Sequence, residues 1–328
     1  MARERILKKV RALLKDLNHF IPETISTWSE DIKVPLTFGN FIEETGLSPI
    51  DVLKKGSWSS WKARGFKQPL PSDSDLVQGQ KALLRIALRT DPIVLKRIEK
   101  LQEDRASCNE KADIGLHYLL WAKTAKNAGI SSTKESIERW RSNPTLAADA
   151  SEIAQWRRSI ASVPTRELSL NFPCNLRLHA AYGSAEVKAA LGLATLLKSG
   201  PTGQGVLLNK KLKCYIHLIT FRKDEKSFSP STRYKDYPIS LKKLHWQTPS
   251  NQAIDHSRTL DYLNFQERNY TVLFFARVEE REDGETAPSI FLGPAKEILS
   301  AEGDRPVSIT WELEHDMPAE LFEKAKAV

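Results

Sequence analysis

The hydrophobic period of this chain changes once, near Pro164, and that change constrains the fold more than any other feature. Before it, apolar residues recur at steps of three and four. After it, short runs of β-branched and aromatic residues are bounded by Gly, Pro, Asp and Asn. Ile6, Val10, Leu13, Leu14 and Leu17 share one face of a first predicted helix, and Arg3, Arg5, Lys8, Lys9, Arg11 and Lys15 crowd the rest. That crowding suits a solvated face of a packed helix or, alternatively, a face turned to phosphates. Further helices are expected over 75–88, 92–102, 113–125, 134–141 and 145–162, separated by Pro69-Leu70-Pro71, Gly129 and Asn143-Pro144. Strands are expected over 168–172, 176–181, 206–209, 213–221, 270–278, 289–292 and 307–314, with helices at 184–191 and 294–300. The expected class is α+β: an all-α N-terminal half, residues 1–165, then a β-rich domain, 166–328, with a curved, mostly antiparallel sheet or partial barrel.

Within the helical half, Phe38, Phe41 and Ile42 sit at helical spacing, Gly46 is a natural stop and Ser48-Pro49 a natural start. Two short helices about a Gly turn suggest a helix-turn-helix. The second, over about 49–55, is short for a major groove, so a simple helical hairpin is the plainer expectation. Trp58 and Trp61, three apart, are expected to pack inward.

A length of 328 residues, 41% of them apolar, with 8 Trp and 12 Phe, is enough for two cores. Three cysteines (Cys108, Cys174, Cys214) suit a reducing compartment rather than a disulfide scaffold. Apolar runs such as 271–276 fall short of the ~20 residues of a membrane helix. The first ten residues are charged, unlike a secretory signal. The expectation is a soluble cytoplasmic protein without membrane contact. Charge is uneven: residues 1–167 carry 28 basic and 21 acidic residues, 168–278 carry 16 and 7, and 279–328 carry 5 and 13. The β-rich region is thus the most basic and the last fifty residues are acidic, an asymmetry consistent with nucleic-acid contact.

Familiar catalytic signatures do not hold up. Gly200-Pro201-Thr202-Gly203-Gln204-Gly205 opens like a phosphate-binding loop, but Val206 and Leu207 stand where Lys and Ser/Thr must reach phosphates and Mg²⁺. Cys214 and His217 have C-x-x-H spacing, yet residues three apart on a strand face opposite ways and cannot share a metal. Glu186-Val187-Lys188 has the E-x-K pattern of some nucleases, but on a predicted helix and with no acidic strand before it. No H-x-K pair or G-x-S-x-G elbow is present. No cofactor, metal or catalytic residue is assigned.

Residues 220–247 are different. A predicted strand runs into a segment mixing cations, hydroxyls and aromatics. Arg222, Lys223, Arg233 and Lys235 are candidates for phosphates, and Ser229, Ser231 and Thr232 for phosphate oxygens. Tyr234, Tyr237 and Trp246 offer flat faces to bases. Gln247 can read a base edge, and His245 lies between. A surface loop whose aromatics plug the sheet is the competing reading.

The same stretch, Phe228-Ser229-Pro230-Ser231-Thr232-x-Tyr234-x-Asp236-Tyr237-x-Ile239 followed by His245-Trp246-Gln247, resembles an uncharacterised C-terminal domain of bacterial superfamily II DEAD/DEAH-type helicases. The resemblance continues through Thr286-Ala287-Pro288, Phe291-Leu292-Gly293-Pro294, Gly303 to Trp311, and Met317-Pro318, covering roughly 170–320. Residues 41–65 are similar, more weakly, to the region preceding that domain. In that family the domain accompanies a helicase core and a phospholipase D-like nuclease in DNA restriction, defence or repair. This chain has no Walker A lysine, helicase motif or nuclease H-x-K, so neither ATP hydrolysis nor strand cleavage carries over. The resemblance implies a non-catalytic DNA-binding or base-sensing module that works with a separate helicase or nuclease. The alternatives are a protein-interaction module, with the acidic last fifty residues recruiting a partner or mimicking DNA, and a cryptic metal-dependent nuclease using His245 with Asp236 and Ser229.

Overall fold

The computed structural model describes residues 16–71, 76–103, 110–202, 205–222 and 236–326. The chain divides into two compact units, Met1–Ala161 and Ser162–Val328. The basic helix expected from Ile6, and Cys108, lie outside the described residues. No helix among those described is long and apolar enough to cross a membrane.

The first unit is helical: α1 (Leu17–Asp31), α2 (Phe38–Thr45), α3 (Pro49–Leu53), α4 (Trp58–Gly65), α5 (Leu76–Ala87), α6 (Pro92–Glu99), α7 (Glu110–Trp121), α8 (Ala125–Ala128), α9 (Thr133–Arg141) and α10 (Pro144–Ser159). Local chemistry sets the ends. The Thr37 hydroxyl accepts from Asn40 N to start α2, and Gly46 ends it in the left-handed region, φ 66°. Ser48 and Asp51 form a reciprocal capping box that starts α3 with Pro49 at its first position. With Phe38, Phe41, Trp58 and Trp61 all fully buried, α2–α4 form a packed helical hairpin and both tryptophans point inward, as their spacing predicts.

α10 organises this unit. Its Glu152 accepts from Phe38 N at the start of α2 and from Trp58 Nε1 (3.0 Å). One turn earlier, Asp149 accepts from Ser59 N at 2.9 Å and from the Ser59 hydroxyl, at the start of α4. Both helix starts therefore meet carboxylates where backbone N–H groups lack intrahelical partners.

The second unit is built on an eight-stranded mixed sheet in the order β4 (Val206–Asn209), β5 (Cys214–Arg222), β8 (Thr271–Glu279), β11 (Ser289–Glu302), β12 (Ser308–Leu313), β7 (Lys243–Gln247), β6 (Tyr237–Pro238), with β3 (Ala181–Tyr182) also pairing with β11. β4 and β6 are its edges, so the sheet is open. Two short ribbons, β1 (Arg166–Glu167) with β2 (Arg177–Leu178) and β9 (Arg281–Glu282) with β10 (Glu285–Thr286), stand apart from it. The helices are α11 (Ser184–Ala190), α12 (Ser257–Leu263) and α13 (Ala319–Lys326).

Strand alternation divides the interior into two cores. Tyr215, Ile219, Val272, Phe274 and Ala276 face one cluster, which also takes in Trp246, Trp311 and Tyr262 and Phe265 from and beside α12. Cys214, Ile216, Leu273 and Phe275 face the other, closed by Val187 and Ala190 of α11. β5 and β8 are apolar on both faces because both faces are covered.

β5 and β8 pair in parallel and the other described pairings are antiparallel, so the sheet is mixed and mostly antiparallel, as expected. Two expectations need correction. Residues 168–172 are not a strand, since β1 ends at Glu167. Residues 294–300 are strand, not helix: β11 runs through them, its outward Lys296 meets Glu312 of β12 at 3.1 Å, and Ala295 opposes Leu313. Pairing across the sheet overrides helix-favouring local composition there. Gly293, at φ 85°, sits where the β8–β11 register shifts, and any Cβ there would lie 3.1 Å from Leu178 Cδ1. The acidic last fifty residues fold into the β-rich unit. They supply β11, β12 and α13, and Trp311, Leu313, Met317 and Leu321 are buried in the core.

Candidate nucleic-acid interface

Of the candidate residues, Lys223, Ser229, Ser231, Arg233, Tyr234 and Lys235 lie outside the described residues. The structure places Arg222, Tyr237, His245, Trp246 and Gln247, and it does not bring all five together.

β7 shows why. Lys243, His245 and Gln247 alternate with Leu244 and Trp246, so the polar set faces out and the apolar set faces the core. Tyr237 of β6 stands directly opposite His245, and their rings stack with centroids 4.5 Å apart and planes 10° apart. Tyr237 is 47% exposed, so this pair presents a flat π surface to solvent. Next to it the Gln247 amide donates to Ser308 Oγ at 3.1 Å, and Gln247 N donates to Asp236 Oδ1 at 3.1 Å. Lys243, at the other end of the strip, is exposed.

Two candidates are corrected. Trp246 is 4% exposed and cannot serve as an open stacking face. Arg222, cross-strand from Glu279, bonds it at 3.0 Å and also donates to the Lys324 carbonyl of α13. Its guanidinium is engaged within the protein.

Trp246 belongs instead to a buried aromatic box that sequence reasoning missed. The box centres on His217, which is fully buried, with ring centroids 4.5 Å from Trp246, 5.0 Å from Phe274, 5.4 Å from Tyr262 and 6.1 Å from Trp311. Both His217 nitrogens, Tyr262 Oη and Trp311 Nε1 lack a hydrogen-bond partner, as does Thr259 Oγ1, one turn before Tyr262 on α12. Burial holds the His217 imidazole neutral, with its pKa lowered to about 3, and pushes the Tyr262 phenol up. Each unmade buried bond costs about 1–3 kcal/mol, so the cluster carries an unmet polar cost inside a closed core. The available signal was the alternation itself: on β5, His217 shares a face with Tyr215 and Ile219, opposite Cys214.

That opposition also separates Cys214 from His217, as their spacing predicts. Among the described residues no group of three or more His, Cys, Asp or Glu is placed to hold a metal ion. The Glu186 carboxylate accepts from Gly183 N at 2.7 Å, so it caps α11.

A β-rich unit with an open mixed sheet, two helix-covered cores and an outward polar strip is the class of domain defined here. Residues 176–325 of it match a family described as a domain of unknown function (DUF3427). No curated protein matches the chain.

Proposed function

We propose that the C-terminal unit is a non-catalytic DNA-recognition module that senses altered bases and acts beside a helicase or nuclease carried on another chain. The observation that carries this reading is the solvent-facing Tyr237–His245 stack, flanked by Lys243 and Gln247. In sequence it follows directly on a segment containing Lys223, Lys226, Arg233 and Lys235. Cations beside exposed rings are what single strands and unstacked bases engage. The base-sensing part rests on the same exposed pair: a base out of its stack would lie on the Tyr237 ring beside Gln247, whereas the aromatic box is closed core and does not enter the reading. The partnership with a separate helicase or nuclease rests on the resemblance of residues 170–320 and on the absence of motor and nuclease motifs from this chain.

The test is fluorescence anisotropy of labelled oligonucleotides with the full chain, across salt concentrations. Binding is expected to weaken steeply with salt. Replacing Tyr237 and His245 together by Ala should weaken it further, while unaltered affinity rejects the strip. Competition between plain and base-modified duplexes tests the second element, with Tyr237→Ala expected to remove any preference.

A further inference from the structure

The C-terminal unit carries a second cluster of nitrogen-bearing side chains in a groove of about 520 Å³. Arg166 comes from β1, His179 from the link between β2 and β3, Lys242 from the turn before β7, and Glu314, His315 and Asp316 from the segment after β12. Four chain segments distant in sequence thus meet at one opening.

Its contacts are specific. Arg166 Nη2 donates to His315 Nδ1 at 2.8 Å, so that nitrogen presents a lone pair and the ring proton lies on Nε2, which faces Glu314 Oε1 at 3.8 Å. His179 Nε2 donates to the Asp316 carbonyl at 2.9 Å. His179 is also held in the left-handed region, φ 66°, by its N–H donating to the Phe291 carbonyl at 2.7 Å. A non-glycine residue persists there only when its surroundings fix it, and such positions favour functional sites.

Arg166 and Lys242 are the groove's cations, and Glu314 and Asp316 its carboxylates. Among the described residues neither Arg166 nor Lys242 takes part in an ion pair. Burial lowers the pKa of both His179 and His315. Arg166 lowers both further and Lys242 lowers His315, against the opposite pull of Glu314 and Asp316 on His315. The positive groups therefore work against one another, and an anion between them would relieve that repulsion. Glu314 and Asp316 are exposed at the rim.

We propose that this groove binds a phosphate group, with Arg166 and Lys242 supplying the charge and the His315 Nε2–H positioned as a supporting donor, while the His179 N–H stays on the Asp316 carbonyl. A guanidinium fork matches phosphate oxygens in pairs, and lysine adds a point charge. A free phosphate and a phosphate on nucleic acid present the same chemistry. The proposal does not require the Tyr237–His245 strip to touch DNA.

The test follows the histidine ring resonances of the full chain by NMR during titration with inorganic phosphate, at constant pH and ionic strength against chloride. Saturable shifts of His179 and His315 are expected, with at least tenfold weaker binding in Arg166→Ala and in Lys242→Gln. Lys242 is exposed and its side chain holds no other element in place, so its variant guards against a folding defect in the first. No saturable shift in the folded chain, or shifts unaltered in both variants, overturns the proposal. Oligonucleotides of one sequence with 5′-phosphate or 5′-hydroxyl then identify the source. A preference for the phosphorylated end that Arg166→Ala abolishes marks a terminal phosphate. Equal weakening of both marks backbone phosphate. Because inorganic phosphate is the primary probe, failure of the DNA reading and failure of the groove are separate results.

Discussion

The edge of the His217 imidazole packs against the Trp246 indole, ring centroids 4.5 Å apart and planes 65° apart, so the most prominent aromatic of the H-W-Q motif is a wall of the core. Its sequence neighbours His245 and Gln247 face the other way. The motif therefore spans both sides of β7, and its two sides predict different mutant phenotypes.

Trp246→Ala should act on folding. Truncating a buried aromatic costs about 3–5 kcal/mol, and the variant should show a lower urea midpoint. Tyr237→Ala is expected to leave the midpoint nearly unchanged, since a half-exposed surface ring typically shifts stability by less than about 0.5 kcal/mol. It should reduce oligonucleotide affinity instead, by about 1–3 kcal/mol for a lost stacking contact. Urea melts and anisotropy on the two variants check this division, and a reversal of the two phenotypes would refute it.

His217→Phe should stabilise the protein at neutral pH, because it removes two unpartnered nitrogens from a site that accepts a ring, a gain of about 1 kcal/mol or more. The pH dependence has a definite sign. The native imidazole has its pKa lowered to about 3, while the unfolded one titrates near the ordinary 6.5. As pH falls from 6.5 towards 3, the unfolded state takes up a proton that the native state refuses, so stability is lost. The phenylalanine variant should lose less stability over that interval. Denaturant titrations at several pH values measure this, and a variant that is less stable at neutral pH would show that the nitrogens have a partner.

Local pattern revealed the class of each half and most strands, because alternation and three-four spacing survive folding. It located β4 at 206–209, β5, β8 and β12 to within a residue or so at each end, and the inward Trp58 and Trp61. The partners of strands were not legible. The parallel β5–β8 pairing joins residues more than fifty apart, and no local signal encodes it. α12, seven residues long, lacks the periodic repeat that would reveal it and went unforeseen, and with it the lid of the aromatic box. For β7, polar Lys243, His245 and Gln247 against apolar Leu244 and Trp246 already determined which way Trp246 points. Residue type suggested a base platform, whereas strand phase places the ring inside. The Arg166–His315 groove was invisible for the first reason: its parts are gathered from residues 166 to 316 by the fold alone.

Gly65→Ala should destabilise the helical unit. An added Cβ would lie 2.4 Å from Ile25 Cγ2 and 3.0 Å from the Pro22 carbonyl, where α1 and α4 pack. Forcing a methyl into a filled contact typically costs about 1–3 kcal/mol. Combining it with Ile25→Ala should cost less than the sum of the two single variants, because each change opens space the other needs. A double-mutant cycle by thermal or urea unfolding measures that coupling, and strict additivity would show that the contact is not close-packed.

Asp149→Asn should change how the stability of the helical unit depends on pH. Burial raises the Asp149 pKa from its ordinary 3.8 to about 6, against the opposing pull of the Ser59 hydrogen bonds and Lys62. Between those two values the native carboxyl keeps a proton that the unfolded chain has released. This contribution therefore weakens as pH rises from about 4 to 6, and the full cost of the buried charge stands above that, on the order of 3 kcal/mol. Asparagine is neutral throughout, and its amide oxygen can still accept from Ser59 N at the start of α4. Whatever it loses at the hydroxyl is a fixed offset. The unfolding free energy of wild type minus that of the variant should accordingly decrease as pH is raised from 4 to 7. A difference that stays constant, or increases, would mean that the hydrogen bonds from Ser59 outweigh desolvation and that Asp149 is ionised in the folded chain across that range.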